Sequence, residues 1–221
     1  AVSLDLFAGD FAALVGPSGS GKTTLLNLAS GLDRPSSGLI YFNGEEITKL
    51  SNQKLARIRR ESIGFVFQSY NLFPQLSVIE NVEYTCLIRG DSAIQARKHS
   101  EEALRLVGLS EKARARPNEL SGGQQQRVAV ARALASKPKI IFADEPTANL
   151  DSTNALALIE LFESLNRNLK VTFLFSTHDL RLVKRVEKKF ELEDGKLLRL
   201  TPNLSRKREA PAYADQQDTI S

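Results

Sequence analysis

Apolar and polar residues alternate along this chain in blocks whose lengths predict strands and helices by turns. Phe11-Ala12-Ala13-Leu14-Val15 is a short apolar run that stops at Gly16, and Thr23–Ala29 reads as a helix behind it. Leu39-Ile40-Tyr41-Phe42 before Asn43-Gly44 reads as a strand entering a tight turn. Ser62–Phe67 is another strand, ending at Gln68. From about Val78 to Ala115 the period becomes helical, with Ala103, Leu104, Leu106 and Val107 on one face and Gly108 as a stop. Lys139–Asp144 has the unbroken apolar character of a central parallel strand buried on both faces. A helix over Ala155–Leu165, a strand over Val171–Ser176 and an Asp194-Gly195 hairpin within Phe190–Leu200 complete the pattern. This alternation predicts an α/β domain with a parallel sheet. Residues 203–221 are polar, contain Pro211, lack periodicity and read as a disordered tail.

Composition narrows the setting. Lys and Arg number 30 against 26 acids, a mild net charge of +4 without a sustained basic block. Arg57, Arg59 and Arg60, and Lys184, Arg185, Lys188 and Lys189, read as solvated helix faces. No apolar run approaches the roughly 18 residues needed to cross a bilayer. Residues 1–15 lack the basic start and long apolar stretch of a secretory signal. Cys86 is the one cysteine, which excludes an internal disulfide and suits a reducing cytoplasm.

The chemistry begins where the first strand ends. Gly16-Pro17-Ser18-Gly19-Ser20-Gly21-Lys22-Thr23 fits G-x-x-x-x-G-K-[ST] without a mismatch, between a strand and a helix. Such a loop turns consecutive N–H groups towards phosphate oxygens, while Lys22 adds a point charge and the Thr23 hydroxyl a Mg²⁺ ligand. Asp144 ends a buried strand, where an acid completes the Mg²⁺ shell, and Glu145 follows it, able to orient or deprotonate a water. Leu120-Ser121-Gly122-Gly123-Gln124 opens a strong helix pattern over 125–134, so it is a second turn presenting a helix N-terminus to an anion. One subunit has no use for two such turns on one nucleotide; two subunits sandwiching two nucleotides do. Gln68, read alone, is one glutamine after a strand. His178 reads first as a loop or capping residue, and His99 as structural.

Together these residues resemble the nucleotide-binding subunit of ATP-binding cassette (ABC) transporters over roughly residues 1–200. The resemblance implies ATP and Mg²⁺ as cofactors, ATP hydrolysis coupled to transport, and a P-loop NTPase core with a mostly parallel sheet. It further implies an N-terminal antiparallel β part and a helical subdomain inserted at about 75–118, with 201–221 a tail. Gly16–Thr23 and Thr24 would hold the phosphates, with Thr23, Gln68 and Asp144 at the metal. Glu145, His178 and Gln68 would be catalytic. Ser121, Gly122, Gly123 and Gln124, with Asp151 of Ala148-Asn149-Leu150-Asp151, would contact nucleotide across a homodimer closed head-to-tail. The family's partners are integral membrane subunits that contact the substrate, with the ATPase peripheral on the cytoplasmic face. No nucleic acid is implied, because the interval between Lys22 and Ser121 holds neither heptads nor a cysteine cluster.

Gly31–Gly38, Gly64–Gln68 and Ala143–Asp151 are similar to the lipoprotein-releasing and macrolide-exporter branch, although amino-acid importer ATPases carry similar strings. By the same resemblance, Ala1–Leu6 correspond to the family's second strand. The aromatic residue that stacks on adenine in the first strand is then missing, and with no methionine in the chain this reads as a fragment.

Overall fold

The computed structural model describes residues 2–202. The chain runs β1 (Phe11–Val15), α1 (Lys22–Ala29), β2 (Tyr41–Phe42), β3 (Glu45–Glu46), α2 (Asn52–Ser62), β4 (Ile63–Val66), α3 (Val78–Arg89) and α4 (Ala93–Leu106). Two short 3-10 turns, Ser110–Lys112 and Pro117–Glu119, lead into α5 (Gly122–Ala135). Then come β5 (Ile140–Asp144), α6 (Ser152–Leu169), β6 (Thr172–Ser176), α7 (Leu180–Val183), β7 (Lys188–Glu193) and β8 (Lys196–Pro202).

Six strands form one sheet in the order β4-β5-β6-β1-β7-β8, parallel except for the β7–β8 hairpin. β2 and β3 form a separate antiparallel pair. Period-two side chains divide the core. Phe11 and Ala13 of β1 join one apolar cluster, while Ala12 and Leu14 join the other, so the strand is covered on both faces. On the first face Phe175 packs edge-on against Phe11 at 4.9 Å and Phe162 of α6 at 5.2 Å.

All the long elements read from the sequence are present, with local differences. The strand expected over 39–42 is reduced to Tyr41–Phe42, because Leu39 is exposed and only two residues find ladder partners. Asn43 and Gly44 make the turn at φ 51° and 79°. Ser62 ends a helix, α2, rather than opening β4. Residues 2–6 alternate between half-buried and exposed, as a strand would, yet they join no ladder among the described residues. Lys188 and Lys189 lie on a strand, not a helix face. Lys188 pairs with Asp10 at 2.6 Å and stands 4.6 Å over the Phe7 ring. β8 takes in residues 201 and 202, and the tail expected beyond them lies outside the described residues.

Two consequences position the site. β1, β5 and β6 all end at the same edge of the sheet, because they are parallel neighbours in register. α5 packs between the helices α3 and α4 and the strand β4, and Gln126 in its second turn reaches the Pro146 carbonyl just past β5, so its N-terminal end lies at that same edge.

Candidate active site

The loop from Gly16 to Thr23 wraps its own lysine. Lys22 is buried to 8% exposure, and its ammonium donates to the carbonyls of Gly16 and Pro17, at 2.9 Å each. The loop must run close to β7: a Cβ on Gly16 would lie 2.1 Å from the Leu192 carbonyl oxygen, so only glycine fits. At the turn of the β7–β8 hairpin, the Gly195 N–H closes on the Ser20 carbonyl at 3.1 Å. Gly21 caps α1 at φ 95°, with no side-chain cap and no acid in the first turn. The first N–H groups of α1 are thereby left to an anion, at the positive end of the helix dipole. Pro17, Ser18, Gly19, Thr23 and Thr24 are exposed around this cradle, and the buried Ser20 hydroxyl has no partner.

β5 and β6 bring the acids to the loop. The Thr23 hydroxyl donates to both Asp144 carboxylate oxygens at 3.1 Å, a hard-oxygen pair of the kind Mg²⁺ takes. Glu145 sits at φ 43°, an unfavourable backbone for a non-glycine residue, fixed by its N–H donating to the Ser176 carbonyl at 2.8 Å. One Glu145 oxygen lies 2.8 Å from His178 Nδ1, and the other is buried without a partner. Buried carboxylate oxygens are normally hydrogen-bonded, so this oxygen is available to accept from a further donor.

His178 itself is 71% exposed at its side chain and owes its place to its neighbours. Thr147, two residues past Glu145, donates to Asp179 at 2.7 Å, and Asp179 also accepts from the Arg181 backbone and guanidinium. This ties the loop after β5 to the loop after β6. Burial alone would push the Asp179 carboxyl up, but the hydrogen bonds from Arg181 and Thr147 outweigh it and hold the group below the usual carboxylate range. A depressed folded value stabilises the fold above the unfolded value of about 3.9, and that contribution disappears as pH falls through the folded value. Asp179→Asn is therefore expected to lower the melting temperature at pH 7 by roughly 3 °C. The difference from wild type should shrink below about pH 4. Melting curves across pH test this; a constant difference would show that the carboxylate charge is not the cause.

Gln68, exposed after β4, pairs with the loop after Glu145. Its Nε2 donates to Asn149 Oδ1 at 3.3 Å, and Asn149 Nδ2 returns a bond to the Gln68 carbonyl at 3.0 Å. Beneath them lies a residue the sequence reading passed over. Gln126 is fully buried in α5 and donates through Nε2 to the carbonyls of Pro146 (2.8 Å) and Phe67 (3.4 Å). The signal was available: Gln126 shares a helical face with Val130 and Ala133, both apolar and buried.

The second turn is capped from within. Ser121 Oγ accepts from the Gln124 N–H at 3.3 Å and Gln124 Oε1 from the Ser121 N–H at 3.0 Å, a capping box. A Cβ on Gly123 would meet Asn154 Oδ1 at 2.5 Å, so the turn packs directly on α6. Asp151 caps α6, accepting from the Asn154 backbone at 2.9 Å and side chain at 2.6 Å. Among the described residues, no hydrogen bond or ion pair joins Ser121–Gln124 to Gly16–Thr23. The structure thus brings together Gly16–Thr23 with Asp144, Glu145 with His178, and Gln68 with Asn149, and leaves Ser121 as the exposed residue of the second turn.

Cys86, Asp91 and His99 also converge, with ligand atoms within 4.8 Å. Arg89 already supplies the positive charge there, pairing with Asp91 and lying 3.1 Å from His99 Nδ1, while burial pushes the Cys86 thiol up. The group reads as a structural lock between α3 and α4, in keeping with a structural His99.

Comparison with known proteins agrees with this geometry. The family described as ABC transporter matches residues 1–148. An uncharacterised ABC transporter ATP-binding protein of Thermotoga maritima is 45% identical over 196 residues, 89% of this chain and 83% of that protein. The ATP-binding cassette MJ0796, solved as a dimer in a post-hydrolysis state bound to ADP and Pi, superposes with a TM-score of 0.82 at 41% identity. That match covers 90% of this chain and 88% of the other. CbiO1 of Clostridium perfringens, part of the cbiONQ transporter complex, gives 0.84 at 29% identity, covering 91% and 80%. A cradle for phosphates, an acid pair beside it and these matches lead to one conclusion: the chain belongs to the ABC transporter family, as an ATP-binding subunit that hydrolyses ATP.

Proposed function

We propose that two copies of this chain close head-to-tail over two nucleotides and drive a membrane partner. In each site, Gly16–Thr23 and Thr24 of one copy bind the phosphates. Lys22 turns from the Gly16 and Pro17 carbonyls towards the β- and γ-phosphates. Thr23, Asp144 and Gln68 hold Mg²⁺, which when bound neutralises phosphate charge. Glu145 takes the proton of the attacking water, His178 holds the Glu145 carboxylate in place, and Gln68 reports the γ-phosphate. Ser121, Gly122, Gly123 and Gln124 of the other copy face that phosphate from a helix N-terminus, with Asp151 beside the turn. Closure then depends on a γ-phosphate that both copies touch, and its loss opens the dimer. The observation carrying this reading is Glu145, strained at φ 43° with one oxygen on His178 and the other buried and unpartnered.

The dimeric structure of the ABC transporter cassette MJ0796 supports the two-copy arrangement. A membrane partner is supported by the surface beside Gln68. Phe73 and Tyr84 pack edge-on at 4.9 Å, both exposed, next to exposed Leu87 and Ile88 on α3. No helix among the described residues is long and apolar enough to cross a membrane, which fits a subunit held peripherally on the cytoplasmic face. We further assign the partner to the lipoprotein-releasing or macrolide-exporting type, on the strings Gly31–Gly38, Gly64–Gln68 and Ala143–Asp151. Co-purification from detergent-solubilised membranes tests both levels. A four-helix partner with a large periplasmic domain is the expected result; a many-helix permease would replace the assignment with an importer, and no membrane partner would overturn it.

A further inference from the structure

The Gly16–Thr23 loop is held from outside by a two-residue turn. Asp194 and Gly195 join β7 to β8 at φ 46° and 72°, between the paired residues Glu193 and Lys196. Positive φ at both central residues marks a type I′ turn, which Asp-Gly favours. The Gly195 N–H stands outside the β7–β8 ladder and donates to the Ser20 carbonyl at 3.1 Å. Pairing of β1 with β7 ends at Val15 and Glu191, and the next two residues, Gly16 and Leu192, meet with no room for a Cβ on Gly16. A Cβ on Gly21 would touch the turn as well, 3.6 Å from the Gly195 Cα.

These contacts decide which way the loop's amides face. A peptide unit is planar and trans, so its C=O and N–H point in opposite directions. Tying the Ser20 carbonyl to the turn aims the Gly21 N–H away from it, to the side left open for an anion. The Gly16 and Pro17 carbonyls are held by Lys22, which must leave them to reach a phosphate. The bond from Gly195 does not depend on Lys22. A β-bulge lies just behind the turn: Leu192 pairs with Leu197 and Glu191 with Arg199, so Leu198 is the extra residue. Bulges bend a strand and increase its twist, and Leu198, 60% exposed, is not there to fill the core.

We propose that the Asp194–Gly195 turn, aimed by the bulge at Leu198, is a positioning element that shapes Gly16–Thr23 for phosphate before nucleotide arrives. It sets nucleotide affinity and not the rate of the chemical step. A loop shaped in advance loses less conformational freedom on binding. This rests on the phosphate-binding reading of Gly16–Thr23, and not on the two-copy arrangement.

The test is Mg·ADP affinity of the full chain by titration calorimetry, with KM and kcat for ATP measured in parallel. Asp194→Pro fixes φ at about −65° and opens the turn. Deletion of Leu198 removes the bulge and keeps the pairs on either side of it. Each should weaken Mg·ADP binding roughly 3- to 12-fold, the range for one lost hydrogen bond. KM should rise in proportion, with kcat at saturating ATP within about twofold of wild type. Asp194→Asn, which tolerates the same backbone, should bind like wild type. Because coupling is reciprocal, Mg·ADP should also slow hydrogen exchange at residues 194–196 of the wild type. Should Asp194→Pro fail to fold, the deletion carries the test alone. A folded variant of either kind that binds like wild type overturns the proposal, and so does an equal loss in Asp194→Asn, which would make carboxylate charge the cause. Lys22→Ala tests the underlying reading: if it binds Mg·ADP like wild type, the phosphate-binding role of the loop falls, and the positioning role with it.

Discussion

Glu145→Gln is expected to stop ATP turnover while leaving a dimer that forms with ATP and persists. Glutamine is nearly isosteric, so the left-handed backbone at φ 43° and the bond from the residue 145 N–H to Ser176 can remain. His178 Nδ1 loses a carboxylate at 2.8 Å and gains an amide that still accepts through its oxygen. What disappears is the group proposed to take the proton from water, and removing a positioned general base typically costs about 10²–10⁴-fold in rate. Binding groups on the Gly16–Thr23 loop are untouched, so affinity for ATP should stay within a few-fold. Phosphate release and gel filtration with Mg·ATP and Mg·ADP measure both effects. Wild-type hydrolysis by this variant would remove Glu145 from the role of base, and an absent dimer would remove the closure it depends on.

How much of this could be read before folding depends on whether the determinant is local. β1, β5 and β6 were legible because strands buried on both faces carry short unbroken apolar runs. α2 was not, since only Leu55 of its residues is buried and its arginines mask any periodicity. Arg59 illustrates the limit: it reads as solvated, yet donates to the Gly31 carbonyl at 2.6 Å. The start of the chain differs again: the family resemblance places a strand there, and residues 2–6 alternate in burial as a strand does but join no ladder among the described residues. Strand order is likewise a tertiary property, since β1 is placed between β6 and β7 by pairings across more than a hundred residues.

The site divides along the same line. Gly16–Thr23 and Ser121–Gln124 are contiguous, so residue type and spacing reveal them. The Thr147–Asp179 bond and the Gln68–Asn149 pair join distant loops, and no local pattern announces them. Glu145 lies between these cases: its position after a buried strand and Asp144 was visible, whereas its strained backbone and buried free oxygen are products of the β5–β6 register.

Ser121 offers the sharpest separation of a structural role from a functional one. Its hydroxyl caps α5, so Ser121→Ala would lose that cap, about 1 kcal/mol, and confuse instability with lost chemistry. Ser121→Asp does not. Aspartate caps as well as serine, can accept from the same Gln124 N–H, and is favoured by the helix dipole, so the melting temperature should change by no more than about 1–2 °C. In the closed dimer proposed above, however, it would face the γ-phosphate of the other copy's nucleotide. Like charges about 4 Å apart near a protein surface repel by about 4 kcal/mol, close to a thousandfold on closure. Monomer affinity for ATP should be unchanged, while ATP-dependent dimerisation and hydrolysis fall together by about 10²–10³-fold. Unimpaired hydrolysis would mean that Ser121 meets no phosphate. Equal loss of monomer binding and turnover would mean that the turn serves its own chain's nucleotide.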